Sequence, residues 1–184
     1  MTFNCMIAGV GGQGTVLASK LIAAAAMKRG YDVRTTETIG MAQRGGSVVS
    51  HVRIGENIYS PLIPPGAAQA LIAFEPAEAV RQLPYLCADG LMIVCDSAIK
   101  PVADPGAAPY EAAAMIDYLR ANVQKLSVID GQQLMERCAK TLNVALLGIA
   151  VRSGIFPFDV DTLKEVIPEM LPQRFWDMNL RSIA

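Results

Sequence analysis

Gly9-Val10-Gly11-Gly12-Gln13-Gly14 directly follows the apolar run Phe3 to Ala8, and a second glycine turn, Ala42-Gln43-Arg44-Gly45-Gly46-Ser47, comes further along the chain. Cys5 to Val10 reads as a buried parallel strand and Thr15 to Arg29 as a helix, so the first turn sits where a strand must reverse into a helix. Glycine there tolerates positive φ and lets a ligand approach the backbone. The first free N–H groups of the helix point into the resulting crevice, and the helix dipole favours a phosphate or pyrophosphate beside them.

Gly9, Gly11 and Gly14 fit the G-x-G-x-x-G spacing, and Glu37 lies near the separation at which a ribose-binding acid is expected. The same spacing also serves a tight turn that binds nothing, because close packing of helix on strand needs glycine too. Gln13 and Thr15 are placed to give side-chain hydrogen bonds at the helix start, either to a ligand or as simple caps.

After the second turn the pattern departs from that of a dinucleotide fold. A crossover helix is expected there, yet Ser47 to Ile54 alternates like a strand, with Val48, Ser50, Val52 and Ile54 on one face and Val49, His51 and Arg53 on the other. Gly55-Glu56-Asn57 then supplies a turn, and Ile58-Tyr59-Ser60 is read as a short antiparallel return. Arg44, flanked by glycine, is the natural partner for a phosphate or carboxylate if its loop lies beside the first turn at the carboxyl ends of the strands. His51, the single histidine, has no neighbouring Asp or Ser to form a triad and is read as structural or interfacial. No catalytic residue is assigned.

Gly9-x-Gly11-Gly12-Gln13-Gly14, followed by Thr36-Glu37-x-x-Gly40-Met41-Ala42-Gln43-Arg44-Gly45-Gly46-Ser47-Val48, resembles the gamma-type domain of the 2-oxoacid:ferredoxin oxidoreductases, and within that family the beta subunits of the indolepyruvate type. The resemblance is densest over residues 3 to 60. It implies one subunit of an enzyme that decarboxylates a 2-oxoacid, here indolepyruvate or a related aryl pyruvate, on thiamine diphosphate. Electrons then pass through iron–sulfur clusters to ferredoxin and the acyl group goes to coenzyme A. The chain has no Gly-Asp-Gly thiamine diphosphate motif and no cysteine runs, so the resemblance puts thiamine diphosphate and the clusters in a larger catalytic partner, without which this subunit is inactive. Gly9, Gly11, Gly12, Gln13, Gly14, Thr15, Glu37, Arg44, Gly45, Gly46 and Ser47 are the expected ligand-binding set, with coenzyme A the possible ligand. The alternative is a stand-alone nucleotide-binding protein, or a Rossmann-like protein binding NAD(P) or FAD.

The remainder of the chain is compatible with one domain spanning 1–184. With 184 residues, 52% hydrophobic and 18% charged, it can bury a sizeable core. A formal net charge of −1 gives no electrostatic reason to expect nucleic acid. No uninterrupted apolar stretch reaches about 18 residues, so no membrane span is expected. Met1-Thr2-Phe3-Asn4 has no basic leader, and the expected compartment is the cytoplasm. Cys5, Cys87, Cys95 and Cys138 are too scattered for a cluster or zinc motif; Cys5 and Cys95 are read as buried small hydrophobes, and no metal site is expected.

Downstream, Ala70 to Phe74 is read as a strand, Pro76 to Leu86 as a helix and Ala88-Asp89-Gly90 as a turn into the strand Leu91 to Cys95. Lys100 to Pro109 is an excursion, Tyr110 to Val123 a helix, Ser127 to Asp130 a strand and Gln132 to Leu142 a helix. Asn143 to Ser153 is almost continuously apolar, to be buried or set against a partner. Asp159 or Asp161 caps a helix ending at Met170, and Phe175, Trp176, Met178 and Leu180 form a last apolar cluster. The nine methionines are in keeping with an obligate partner. The expected fold is α/β and Rossmann-like: a mainly parallel sheet with helices on both faces, an antiparallel hairpin and a helical C-terminal third.

Overall fold

A computed structural model of the chain describes residues 2–39, 46–99, 110–138 and 140–183. The strands are β1 (Phe3–Val10), β2 (Asp32–Ile39), β3 (Ser47–Gly55), β4 (Ala68–Ala73), β5 (Leu86–Cys95) and β6 (Lys125–Ile129). The helices are α1 (Thr15–Lys28), α2 (Pro76–Gln82), α3 (Ala112–Asn122), α4 (Gly131–Cys138), α5 (Leu142–Arg152), α6 (Val160–Met170) and α7 (Trp176–Ile183). The strands form one sheet in the order β2-β3-β1-β4-β5-β6. Three of its five pairings are parallel, β1 with β4, β4 with β5 and β5 with β6; β3 runs antiparallel to β1 and to β2.

The antiparallel hairpin is therefore made by β2 and β3, and not by a return of the chain at Ile58-Tyr59-Ser60. Those three residues form no strand, and Tyr59 is 92% exposed. Both edges of β3 are already occupied by β1 and β2, so no row of N–H and C=O groups is left for a third partner. A second correction falls at Ala88-Asp89-Gly90, which lies inside β5, where the register against β4 shifts between Ala68 and Ala70. A Cβ on Gly90 would lie 3.0 Å from the carbonyl oxygens of Ala68 and Cys87, so this irregular crossing admits only glycine without displacement of backbone. The helix expected to reach Leu86 stops at Gln82 and passes through a 3-10 turn, Leu83–Tyr85. The helix expected from Gln132 to Leu142 ends at Cys138. The Lys100 to Pro109 excursion lies outside the described residues.

Because β1, β3, β4 and β5 are apolar on both faces, the sheet is covered on both. On one side Cys5, Ile7, Val52, Ile54, Ile72 and Ile93 pack beneath α1, α5 and α6. On the other, Met6, Leu71, Met92 and Val94 pack with Ile116 and Leu119 of α3 and Ala79 of α2. The apolar run from Asn143 is internal: Val144, Leu146, Leu147 and Ala150 of α5 are fully buried, and Gly148 lets α7 cross with Ile183 Cα 3.2 Å from where a Cβ would stand. The last apolar cluster divides, with Trp176 and Leu180 against the core and Phe175 exposed. Cys5 and Cys95 are buried, and burial raises both thiol pKa values.

Asp159 is the cap of α6, its Oδ1 accepting the Thr162 N–H at 2.8 Å and the Thr162 hydroxyl at 2.7 Å, while Oδ2 meets Arg29 at 2.8 Å. These donors hold its carboxyl at about 2, the Thr162 N–H contributing most. A depressed carboxylate adds stability above its unfolded pKa and loses it as pH falls through the folded one. We expect Asp159→Asn to flatten the acid limb of the unfolding midpoint between about pH 4 and pH 2, with urea melts across that range as the check. Leu146→Ala, which empties a site with no solvent access, is expected to cost about 2–5 kcal/mol in the same melts.

Candidate functional site

The first glycine turn lies at the carboxyl end of β1, where ligands bind in open α/β sheets. A Cβ on Gly9 would meet Gln13 Oε1 at 2.7 Å, Thr15 Cγ2 at 2.9 Å and Phe74 Cβ at 3.3 Å, so the turn closes only without a side chain there. Gly14 is the N-cap of α1 in the left-handed region, at φ 79°, and a Cβ on it would collide with the Asn143 side chain.

Gln13 turns inward. Its Oε1 accepts the Val10 N–H at 2.8 Å and its Nε2 donates to the Phe74 carbonyl at 2.9 Å, tying the ends of β1 and β4 together. Thr15 is buried with its methyl group against Gly9, and no side chain caps α1. Asn143 Nδ2 donates to the Gly14 carbonyl at 3.2 Å, fixing the turn to the start of α5. The side chains of Gln13 and Thr15 thus serve the turn itself, and α1 begins without a side-chain cap.

The two glycine turns meet. β1 and β3 pair from Phe3↔Ile54 to Val10↔Ser47, and the Gly11 N–H continues the ladder by donating to the Gly46 carbonyl at 2.9 Å. Ser47 Oγ donates to Glu78 Oε2 at 2.6 Å, joining this corner to α2. Arg44 and Gly45 lie outside the described residues. Glu37 sits apart from the turn: it is opposite Ser50, itself opposite Ile7, and its Oε1 accepts from Ser19 Oγ at 3.1 Å on α1. β3 intervenes, leaving Glu37 two strands from β1, about 10 Å across the sheet.

A cleft of about 550 Å³ opens beside the first turn and contains residues with no motif around them in the sequence. Gly12 and Gln13 form one wall, Lys140 and Asn143 at the junction of α4 and α5 another, and Ile99 and Met135 supply exposed apolar surface. A lysine beside a glycine turn, with apolar walls, suits an anionic ligand with an apolar or aromatic body. A larger cleft of about 810 Å³, lined by Arg29, Tyr31, Phe156 and Asp159, lies away from the glycine turns.

His51 is structural. Its Nδ1 accepts the Ile63 N–H at 3.2 Å and its ring stands edge-on to Tyr85, with burial lowering its pKa and favouring the neutral ring that this acceptor requires. Among the described residues no group of three His, Cys, Asp or Glu side chains is placed to hold a metal, and no helix is long and apolar enough to cross a membrane.

Comparison with known proteins adds to this geometry. The model of the family described as pyruvate ferredoxin/flavodoxin oxidoreductase matches residues 4–184. The indolepyruvate oxidoreductase subunit IorB of Archaeoglobus fulgidus is 38% identical over 187 residues, covering 100% of this chain and 92% of that protein. The fold is shared with pyruvate oxidoreductase subunit PORC of Thermotoga maritima, at a TM-score of 0.69, 22% identity and coverage of 99% of this chain and 93% of that one. It is shared also with a 2-oxoglutarate:ferredoxin oxidoreductase of Magnetococcus marinus, solved with 2-oxoglutarate, coenzyme A and succinyl-CoA bound; there the TM-score is 0.70 at 19% identity, over 99% of this chain and 30% of that one. A family match along almost the whole chain and a full-length relative at 38% identity lead to one conclusion: the chain belongs to the pyruvate ferredoxin/flavodoxin oxidoreductase family, as a subunit of a 2-oxoacid:ferredoxin oxidoreductase.

Proposed function

We propose that this chain, as a single domain, is the cluster-free subunit of an enzyme that oxidatively decarboxylates indolepyruvate or a related aryl pyruvate to the acyl-CoA and reduces ferredoxin. It works only with a larger partner that carries thiamine diphosphate and the iron–sulfur clusters. The observation that carries the substrate class is the full-length similarity to indolepyruvate oxidoreductase subunits. The described residues do not suit a cluster, since their four cysteines are free, scattered through the fold and in no metal-holding group. Free thiols also suit a reducing cytoplasm.

The crevice suits coenzyme A. The Gly12 backbone and the Lys140 ammonium line it and would take its phosphates, and Ile99, Met135 and Leu142 offer apolar surface to the rest of the molecule. A free-standing NAD(P) enzyme is less well supported, because Glu37 is held by Ser19 on the far side of β3.

Anaerobic purification from native cells tests the assembly. The expected result is co-elution with a larger chain whose spectrum shows iron–sulfur absorbance, and aryl pyruvate-dependent dye reduction by the complex but not by the isolated subunit. A colourless chain eluting alone would instead point to a nucleotide-binding module. In the active complex, Lys140→Ala is expected to raise the KM for coenzyme A by about tenfold, the loss of one charge-assisted contact, with little change in the KM for the 2-oxoacid. An unchanged coenzyme A KM would remove Lys140 from the site.

A further inference from the structure

Two carboxyl groups beside the glycine turns have no part in the chemistry above. Glu75 and Glu78, the N-cap and first turn of α2, are each 1% exposed. Glu78 is fully engaged, accepting from Ser47 Oγ and pairing with Arg81. Glu75 is not. Its Oε2 accepts the Glu78 N–H at 3.0 Å, whereas Oε1 is buried with no hydrogen-bond partner among the described residues.

Among the described residues, the groups around Glu75 supply Oε1 with no donor. Arg81, the one cation among them, is held by Glu78. The Tyr110 hydroxyl accepts the Ala77 N–H at 3.3 Å and makes no hydrogen bond to Oε1, and the Gln13 amide is committed to Val10 and Phe74. Among the described residues, the two buried carboxyl groups therefore share one cation. An ionised carboxylate oxygen buried without a donor is far costlier than a neutral carboxyl in the same place.

We propose that Glu75 is held protonated in the folded protein at neutral pH and is a positioning residue for the crevice. In the neutral form it caps α2 and leaves both Arg81 and Ser47 to Glu78. Glu78 then anchors Ser47, and with it the Gly46 carbonyl that receives the Gly11 N–H. Ionised, Glu75 repels Glu78 and competes for Arg81, and the contact between the two glycine turns weakens. Burial acts in the same direction, raising the Glu75 carboxyl above the ordinary glutamate range; the Glu78 charge adds to this, and the N–H groups of Glu78 and Ala77 oppose it.

A raised carboxyl adds stability that is complete below the unfolded pKa and is lost as pH rises through the folded one. Glu75 behaves in this way whatever the crevice binds, so the full chain alone serves for the test. Its thermal midpoint, the infrared band of a protonated carboxyl and the exchange protection of the Gly11 amide are followed from about pH 5 to pH 10 in wild type and in Glu75→Gln, which keeps the acceptor without the charge. The expected result is a protonated-carboxyl band at neutral pH that Glu75→Gln lacks. As that band disappears with rising pH, midpoint and Gly11 protection fall together in wild type and not in the variant. Absence of the band at neutral pH overturns the proposal, and so does a band whose loss leaves Gly11 protection unchanged. The wild-type titration gives both readings should the variant fail to fold.

Discussion

The antiparallel ladder between β1 and β3, running without interruption from Phe3↔Ile54 to Val10↔Ser47, is the constraint on which the rest depends. It places a strand where an ordinary dinucleotide fold would pair β1 with β2 directly, so β2 moves to the sheet edge and takes Glu37 with it. The same ladder ends with β3 beginning where β1 stops. The two glycine turns, distant in sequence, are therefore neighbours because a hydrogen-bond ladder cannot end on one strand without ending on the other.

Around that ladder the architecture is one of short, satisfied connections at the carboxyl ends of the strands. Gln13 fastens β1 to β4, Asn143 fastens the turn to α5, and Ser47 fastens β3 to α2. Asn143 adds a second donor to a Gly14 carbonyl that already accepts the Ala18 N–H. What these contacts leave open is the cleft beside the first turn, with Gly12 and Gln13 on one wall and Lys140 and Asn143 on another.

Much of this was legible along the chain. The strand β1, the helix α1, the alternation of β3 and an aspartate cap at 159 or 161 all follow from local pattern, since apolar periodicity and capping chemistry act over a few residues. The mistaken return strand at Ile58 was local in another way: Gly55-Glu56-Asn57 is good turn chemistry, and nothing nearby in sequence says that both edges of β3 are already filled. Glu37 illustrates the same limit, for its distance from Gly14 along the chain is apt while its distance across the sheet is set by the strand inserted between them.

The sequence by itself determined the family, the glycine turns and the layered α/β class, because motif spacing and periodicity are properties of contiguous residues. Tertiary structure alone decided which groups face the crevice. Lys140 and Asn143, which line it, and Glu78, which holds Ser47 beside it, carry no motif; strand order and helix packing bring them to the glycine turns. Whether a carboxyl there keeps its proton depends on burial and on the count of nearby donors, both of which exist only once the chain is folded.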